Sequence, residues 1–382
     1  MIRLMKHSFF VDADVENKLA KFISDCPMLS MGECTHEFQS EFSAWHDRKH
    51  CVMVNSGSSA NLILLAALIN LGRLRKGAKV GVSGVTWSTN IMPIIQLGLT
   101  PILIDVEDGD VNIGMTSLIE NVTQLDALFI TNVLGLNNSL PDIKELCLLH
   151  GVLMLEDNCE GLGCNQSGKL MGNFGLASTT SSFIGHHFST IEGGYVFTDD
   201  DELAAMLKVV RAHGWTRNLT TKEMQLLGTA EVSHFERPYT FEYCGFNVRP
   251  SEINAYCGLL QLPLLDKYNA IRKDRFKRFS DALGEKIYSF RSENPVFAIP
   301  IKTKDKQEKE TLIRQLAAAS IECRPLISGS MGRQPFWRKL YGEQILRNAS
   351  DVDECGMYVT NDPQLSDDDF NILLSNVKNT LS

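Results

Sequence analysis

The sequence predicts a large α/β protein with a mainly parallel sheet, helices on both faces of that sheet and a small C-terminal α+β domain. Strand-like and helix-like segments alternate from about residue 52 to residue 213, which is typical of parallel strands joined by crossover helices. The chain has 382 residues, 44% of them hydrophobic, so it can bury one large core and a smaller second one. After about residue 266 the pattern changes to a strand, a helix, a second strand and a final helix.

The elements of the first part can be placed along the chain. Residues 15–26 are predicted to form a helix, with Asp12 or Asp14 as its cap, and residues 28–33 a loop. A short strand precedes the turn Ser56–Ser59. Further helices are predicted at residues 60–71, 88–97, 141–150 and 201–213. Further strands are predicted at residues 79–83, 101–106, 127–131, 152–156, 177–183 and 195–198.

The second part departs from this alternation. Residues 214–249 show no period, and a loop that long inside a compact protein usually serves a site or an interface. The remaining helices are predicted at residues 250–262, 264–283, 306–320 and 367–381, and the remaining strands at residues 295–301 and 321–326. We therefore expect a large domain over residues 1–265 and a small domain over residues 266–382.

Composition limits the possible partners. The net charge of -9 argues against nucleic acid or an anionic membrane surface as the main partner. Residues 1–7 lack the apolar core of a signal peptide, and the longest aliphatic run, residues 62–69, is far shorter than the roughly 20 residues of a membrane helix. A cytoplasmic protein is expected. The ten cysteines include neither Cys-x-x-Cys nor Cys-x-Cys, so neither a metal site nor an iron–sulfur cluster is expected.

Three groups stand where predicted strands end. The turn Ser56-Gly-Ser-Ser59 precedes a helix, whose free N–H groups and dipole favour an anion such as a phosphate; a well-capped tight turn is the alternative. Trp87 and Asp157 follow two other strands, at the edge where open α/β sheets bind ligands. The alternatives are a core tryptophan and a strand-end salt bridge or cap.

The segment Ser181–Gly194 reads Ser-Ser-Phe-Ile-Gly-His-His-Phe-Ser-Thr-Ile-Glu-Gly-Gly. It resembles the active-site segment of the DegT/DnrJ/EryC1/StrS sugar aminotransferases, which are pyridoxal phosphate (PLP) enzymes of fold type I, the aspartate-aminotransferase-like fold. In that family a lysine six residues before Glu-Gly-Gly forms a Schiff base with the cofactor. Six residues before Glu192 this chain has His186.

The resemblance implies how a cofactor would be held. The pyridine ring would stack on Trp87, and Asp157 would pair with the pyridine nitrogen, which keeps PLP an electron sink. Asn247, in Gly-Phe-Asn-Val-Arg249, would reach the phosphate of a neighbouring subunit, which implies a homodimer with shared active sites. The phosphate would otherwise be bound by Gly57, Ser58, Ser59 and Ser181.

His186 decides the reaction that the resemblance implies. Imidazole cannot form the covalent link to PLP, so PLP and pyridoxamine phosphate (PMP) would be held by noncovalent contacts alone. It can still move protons near neutral pH, and His186 is therefore the catalytic candidate. A hydrogen-bonded structural histidine is the alternative, and we expect His187 to be one.

Other motifs match the dehydratase branch of the family. After Asp157 the chain has Asn-Cys-Glu160 where the aminotransferases usually carry small residues and then Gln or His, so Glu160 joins the cofactor site. The branch implies loss of the C3 hydroxyl from a GDP-linked 4-keto-6-deoxy sugar in dideoxysugar and O-antigen synthesis. L-Glutamate would be the amino donor, and 2-oxoglutarate and ammonia would be released. Substrate binding is expected from His213, Trp215, Arg217, Arg249 and Arg324, with a solvated loop as the alternative for the loop residues.

Three competing functions remain open. An iron–sulfur-dependent dehydrase acting on a CDP-linked sugar also carries the histidine, but it requires a Cys-x-Cys that this chain lacks. A nucleotide-sugar 4-aminotransferase normally needs the lysine. A PLP-binding pseudoenzyme is expected to lose Asp157, Ser181 and Trp87 as well, and all three are present.

Overall fold

The computed structural model describes residues 1–5, 7–137, 139–229, 232–233 and 235–381. The strands are β1 (His50–Val54), β2 (Lys79–Ser83), β3 (Thr100–Ile104), β4 (Ala127–Thr131), β5 (Leu153–Asp157), β6 (Asn165–Gln166), β7 (Lys169–Leu170), β8 (Ala177–Ser181), β9 (Gly194–Thr198), β10 (Ala298–Lys302), β11 (Cys323–Pro325) and β12 (Gly356–Thr360). The helices are α1 (Val15–Asp25), α2 (Glu33–Trp45), α3 (Gly57–Asn70), α4 (Ser88–Gln96), α5 (Met115–Asn121), α6 (Leu140–His150), α7 (Asp201–Val210), α8 (Thr221–Leu227), α9 (Glu252–Gln261), α10 (Leu265–Leu283), α11 (Lys306–Ala318), α12 (Pro335–Tyr341), α13 (Arg347–Cys355) and α14 (Asp367–Leu381).

The larger sheet has the strand order β1-β9-β8-β5-β4-β2-β3. Neighbours from β8 to β3 are parallel, and β9 is antiparallel to both β1 and β8. All strands of this sheet except β9 therefore run in one direction. The prediction of a mainly parallel sheet is confirmed. Strands β4, β8 and β9 are buried along their whole length, as expected for a sheet covered on both faces.

A second sheet follows later in the chain. It has the order β10-β12-β11, with antiparallel pairs. It packs with α10, α11 and α14 around a second group of buried residues, among them Phe276, Leu312 and Leu373, and this group extends into the first part of the chain through Val106 and Leu134. The central strand β12 has no counterpart in the prediction. The expected division between residues 265 and 266 falls at the start of α10 and stays a prediction.

Several predicted elements need correction. Helix α1 forms as predicted, but Asp14 does not cap it with its side chain. Its φ of 51° is left-handed, and its carboxylate accepts a hydrogen bond from the Asn17 side chain instead. Helix α2 was not predicted. The region predicted as an unbroken loop contains α8, which begins with a capping box of Thr220 and Glu223; this Thr-x-x-Glu spacing is a signal that the sequence contained.

The turn after β1 and the first residue of β9 approach each other closely at one edge of the large sheet. A Cβ atom on Gly194, the first residue of β9, would lie 2.0 Å from the backbone oxygen of Ser56. The turn after β1 and the start of β9 are therefore in direct backbone contact, which only glycine permits. Among the described residues, no helix is both long and apolar enough to cross a membrane.

This contact predicts a stability loss for Gly194→Ala. The added methyl group cannot fit against Ser56 and Gly57 without moving backbone, so we expect a loss of about 2 to 3 kcal/mol in the free energy of unfolding. Urea denaturation measures the loss. The matched control is Gly185→Ala, because a Cβ atom there meets no atom closer than 3.6 Å. Equal stability of the two variants would contradict the packing.

Candidate active site

A cavity of about 750 Å³ lies between the carboxyl edge of the large sheet and the second sheet. Its position is the one expected for ligand sites in open α/β sheets. Residues singled out from the sequence line it together, although they come from distant parts of the chain: Gly57, Ser58, Trp87, Asp157, Glu160, Ser181, His186 and Arg324.

The start of α3 forms one end of the cavity. Ser56 caps the helix, its Oγ accepting a hydrogen bond from the backbone N–H of Ser59 at 3.1 Å. Ser59 does not line the cavity, and its Oγ accepts a hydrogen bond from Ser56. A Cβ atom on Gly57 would lie 2.7 Å from Cβ of Ser181, so glycine lets the two segments meet. This helix start offers N–H groups without intrahelical partners to an anion.

Asp157, at the end of β5, is 4% exposed and accepts three hydrogen bonds. Its Oδ2 accepts hydrogen bonds from the side-chain amides of Asn61 at 3.0 Å and Asn90 at 2.7 Å, and its Oδ1 accepts one from the backbone N–H of Cys159. These three donors compensate for the water that the buried carboxylate has lost. The two asparagines were missed, although polar residues in the apolar helices α3 and α4 are a signal for buried hydrogen bonding.

The preceding residue anchors the same strand end. Glu156 is fully buried. Its carboxylate accepts hydrogen bonds from the backbone N–H groups of Gly172, Phe174 and Gly175 and from the side-chain amide of Asn132. Successive side chains of a strand point to opposite faces, so Glu156 and Asp157 fix the end of β5 from both sides.

The loop between β8 and β9, residues 182–193, carries His186. Its backbone carbonyls are held by three side chains of α9 and α10: Asn254 donates to Thr190, Gln261 to Ser189 and Arg272 to His187. The side chain of Gln261 also accepts a hydrogen bond from the backbone N–H of Phe10. The position of the loop is therefore set by side chains that sequence patterns did not single out.

His186 faces the cavity, and its Nδ1 is buried without a hydrogen-bond partner among the described residues. Burial lowers the pKa of His186 to about 4, while the charge of Asp157 acts in the opposite direction. The neighbouring His187 is fully buried and contacts the carbonyl oxygen of Pro295 through Nε2, 3.3 Å away. Thus His186 is a neutral imidazole open to a ligand, and His187 has the surroundings of a structural histidine.

Glu160 and Trp87 complete the large-sheet side of the cavity. Glu160 accepts a hydrogen bond from the backbone N–H of Leu134. Burial raises the pKa of Glu160 to about 7; the hydrogen bond opposes this rise and the charge of Asp157 adds to it. Its carboxyl group can hold or release a proton near neutral pH. Trp87 is 55% exposed at the start of α4, so its ring is available for stacking and is not a core tryptophan.

The remaining predicted residues lie elsewhere. The rings of His213 and Trp215 are 4.5 Å apart, and the guanidinium groups of Arg217 and Arg249 lie 3.8 Å and 5.6 Å from the Trp215 ring. Arg249 also donates to the side chain of Asn247. This Trp215 cluster is compact, but none of its residues lines the cavity of the same chain.

The second sheet supplies a wall that the sequence did not reveal. Phe297 and Tyr358 pack edge to face with ring centroids 6.3 Å apart, and Phe297 lies 5.6 Å from the ring of His186. Arg3, Leu4 and Met5 also line the cavity. Within the described part of the chain, no three His, Cys, Asp or Glu side chains cluster so as to hold a metal ion.

Comparison with known proteins gives consistent matches. The sequence profile of the DegT/DnrJ/EryC1/StrS aminotransferase family matches residues 12–378. The GDP-4-keto-6-deoxy-D-mannose 3-dehydratase of Escherichia coli O55:H7 is 34% identical over 91% of this chain and 92% of its own. A GDP-4-keto-6-deoxymannose-3-dehydratase with a trapped PLP-glutamate geminal diamine superposes with a TM-score of 0.92 at 31% identity, covering both chains fully. A variant of such an enzyme with bound GDP-perosamine gives a TM-score of 0.91 at 32% identity, over 99% of this chain and 100% of its own.

The buried histidines predict an acid-sensitive fold. Burial lowers the pKa to about 3 for His46, to about 4 for His186 and to well below 6.5 for His187. Below pH 6.5 the unfolded chain therefore binds more protons at these histidines than the folded protein does. As a result, the free energy of unfolding falls as the pH falls from 6.5 towards 5, by at most about 1.4 kcal/mol per pH unit for each histidine. The raised pKa of Glu160 acts in the opposite direction.

Urea denaturation at several pH values, repeated with His46→Phe, isolates one histidine from the rest. We expect a shallower pH dependence in the variant. Identical slopes for the two proteins would contradict burial of a neutral imidazole at position 46.

Proposed function

This chain belongs to the DegT/DnrJ/EryC1/StrS aminotransferase family, and we propose that it removes the C3 hydroxyl group of GDP-4-keto-6-deoxy-D-mannose in a PLP-dependent dehydration. The observation that carries the proposal is His186, an imidazole where the aminotransferases carry lysine, in a cavity that is also lined by most of the predicted cofactor residues: Gly57, Ser58, Trp87, Asp157, Glu160 and Ser181. L-Glutamate is the amino donor. The products are GDP-4-keto-3,6-dideoxymannose, 2-oxoglutarate and ammonia, in a colitose-type O-antigen pathway.

The residues present fit PLP. The start of α3 at Gly57 and Ser58, with Ser181 against it, forms a cradle for a phosphate. Asp157 is fixed at the cavity by three hydrogen-bond donors, which suits a carboxylate that pairs with the pyridine nitrogen, and the exposed ring of Trp87 suits stacking. When bound, the cofactor supplies the electron sink and, as PMP, carries the amino group and electrons taken from glutamate.

His186 is the proposed base. Its Nδ1 is buried without a partner among the described residues, and the residue lines the cavity. Because its pKa is lowered to about 4, the imidazole is neutral at physiological pH and can accept a proton at Nε2. Hydrogen bonds to the carbonyls of the loop keep this nitrogen in place. Glu160 is proposed to contact the cofactor and to exchange a proton near neutral pH.

The Trp215 cluster is proposed to serve the cavity of a partner subunit in a homodimer. An accessible group of two guanidinium ions, an indole and an imidazole suits a diphosphate or a carboxylate. Its place outside the cavity of the same chain agrees with a shared site, in which Asn247 reaches the cofactor phosphate and the other members reach the substrate.

Four further assignments belong to the proposal. The cofactor is held without a covalent bond, since His186 cannot form one, and no iron–sulfur cluster takes part, since closely spaced cysteines are lacking in the sequence. The chain works in the cytoplasm, as expected from its sequence. It is organised as a large domain over residues 1–265 and a small domain over residues 266–382, a division in keeping with the second sheet, whose strands β10, β11 and β12 all lie after residue 266.

The test is a product analysis. The purified protein is incubated with GDP-4-keto-6-deoxymannose, PLP and L-glutamate, and the product mass and released ammonia are measured together. We expect a sugar one oxygen lighter and ammonia in equal amount. An amino sugar without ammonia would indicate a 4-aminotransferase, and conversion of glutamate without any change in the sugar would overturn the substrate assignment.

His186→Lys tests the role of the imidazole. A lysine at this position is expected to bind PLP covalently, which shifts the absorbance of the protein and leaves a mass adduct after borohydride reduction. The dehydration rate should fall at least about a hundredfold, as for removal of a general base. His150→Lys, an exposed change on α6, is the control. An unchanged dehydration rate in His186→Lys would refute the role of His186.

A further inference from the structure

We propose that Arg3 and Arg324 form a cationic pair on the second-sheet wall of the cavity that binds anionic oxygens of a substrate. The inference rests on the proposed function, whose two substrates offer such oxygens as the diphosphate of the nucleotide sugar and the carboxylates of glutamate. Arg324 was singled out from the sequence. Arg3 was not, and the structure places both on one wall.

Strand pairing determines where Arg3 points. Ile2 pairs in parallel with Ile321, and the backbone N–H of Ile2 donates to Ser320 while that of Glu322 donates to Ile2. Ile2 and Ile321 are 6% and 3% exposed and belong to the core of the second sheet. Because side chains alternate along a strand, Arg3 and Glu322 share the opposite face, which borders the cavity.

Hydrogen bonds attach the segment Ile2–Met5 to this sheet. The backbone N–H of Leu4 donates to the carboxylate of Glu322 at 3.0 Å, and Thr360 Oγ1 donates to the carbonyl of Leu4 at 2.7 Å. Arg3, Leu4 and Met5 all line the cavity. Thus Arg3 is held at the cavity by its backbone, while its side chain remains exposed.

The charges of this wall do not cancel. Arg324 donates to Glu322 at 3.0 Å, and the pKa of Glu322 is lowered by the N–H of Leu4, against burial, with help from Arg324 and Arg3. Two guanidinium groups therefore share one carboxylate. Arg3 forms no ion pair within the described residues, and Arg324 is 57% exposed. The remaining positive charge, with guanidinium donors free, suits phosphoryl or carboxylate oxygens.

The two arginines lie on a different wall from the acidic groups of the large sheet. Asp157 and Glu160 lie at the end of the large sheet, whereas Arg3, Arg324 and Glu322 lie on the second sheet, and Arg272 and Asp362 also line the cavity. A ligand with a neutral reacting ring and an anionic group at a distance from it would place the ring by His186 and its charge at this wall. An anion bound here avoids repulsion by Asp157 and adds an orientation constraint on the ring.

Arg3→Ala tests the inference by binding, without turnover. Isothermal titration of the PLP-loaded protein with GDP and, separately, with 2-oxoglutarate gives two dissociation constants. Loss of one charge-assisted contact should weaken one of them about tenfold, Arg3→Lys should restore most of the loss, and added salt should narrow the difference. Arg314→Ala, an exposed arginine of α11, is the matched control and should bind as the wild type does.

The two arms identify the source of the anion. Weaker binding of GDP alone assigns the wall to phosphoryl oxygens, and weaker binding of 2-oxoglutarate alone assigns it to carboxylates. Unchanged constants for both ligands, with an unchanged melting temperature, would overturn the proposal. This proposal and the proposed function can fail independently. If the protein dehydrates the sugar but Arg3→Ala changes neither dissociation constant, only the role of Arg3 is refuted. If Arg3→Ala weakens anion binding but the protein does not dehydrate the sugar, only the proposed reaction is refuted.

Discussion

The carboxylate of Asp157 is almost completely buried, and the hydrogen bonds that compensate its burial come from three different parts of the large sheet and its helices. Asn61 comes from α3, Asn90 from α4 and the N–H of Cys159 from the chain just beyond β5. A buried charge without such donors would be strongly destabilising. The helices that flank the sheet therefore have a second task besides covering it, because their apolar faces each carry one amide that points at the same carboxylate.

The loop that carries His186 is held in place by contacts from outside it. Asn254, Gln261 and Arg272 donate hydrogen bonds to three carbonyls of that loop, and Gln261 also connects it to Phe10. His186 is thus positioned by helices of the later part of the chain and by the segment that precedes α1, so the cavity depends on contacts between parts of the sequence that lie far apart.

Sequence reasoning succeeded where local pattern and position along a strand suffice. Strands β2 and β4 and helix α14 have the predicted ends, and the groups at strand ends, Trp87 and Asp157, reach the cavity. It failed where the determining interaction is distant in the chain. The place of Arg3, for example, depends on the pairing of Ile2 with Ile321. No local window contains that information.

The backbone contact between Gly194 and Ser56 has a consequence for how such proteins diversify. Glycine is required there by packing, whatever chemistry the loop performs. Selection for a folded protein alone will therefore retain the end of the Glu-Gly-Gly signature, even in descendants that have exchanged the lysine for another residue. Position 186, six residues before Glu192, takes no part in this backbone contact, so its side chain can differ while the contact is kept. Evolution of a new reaction on this scaffold needs a change in the loop, with the frame around it left intact.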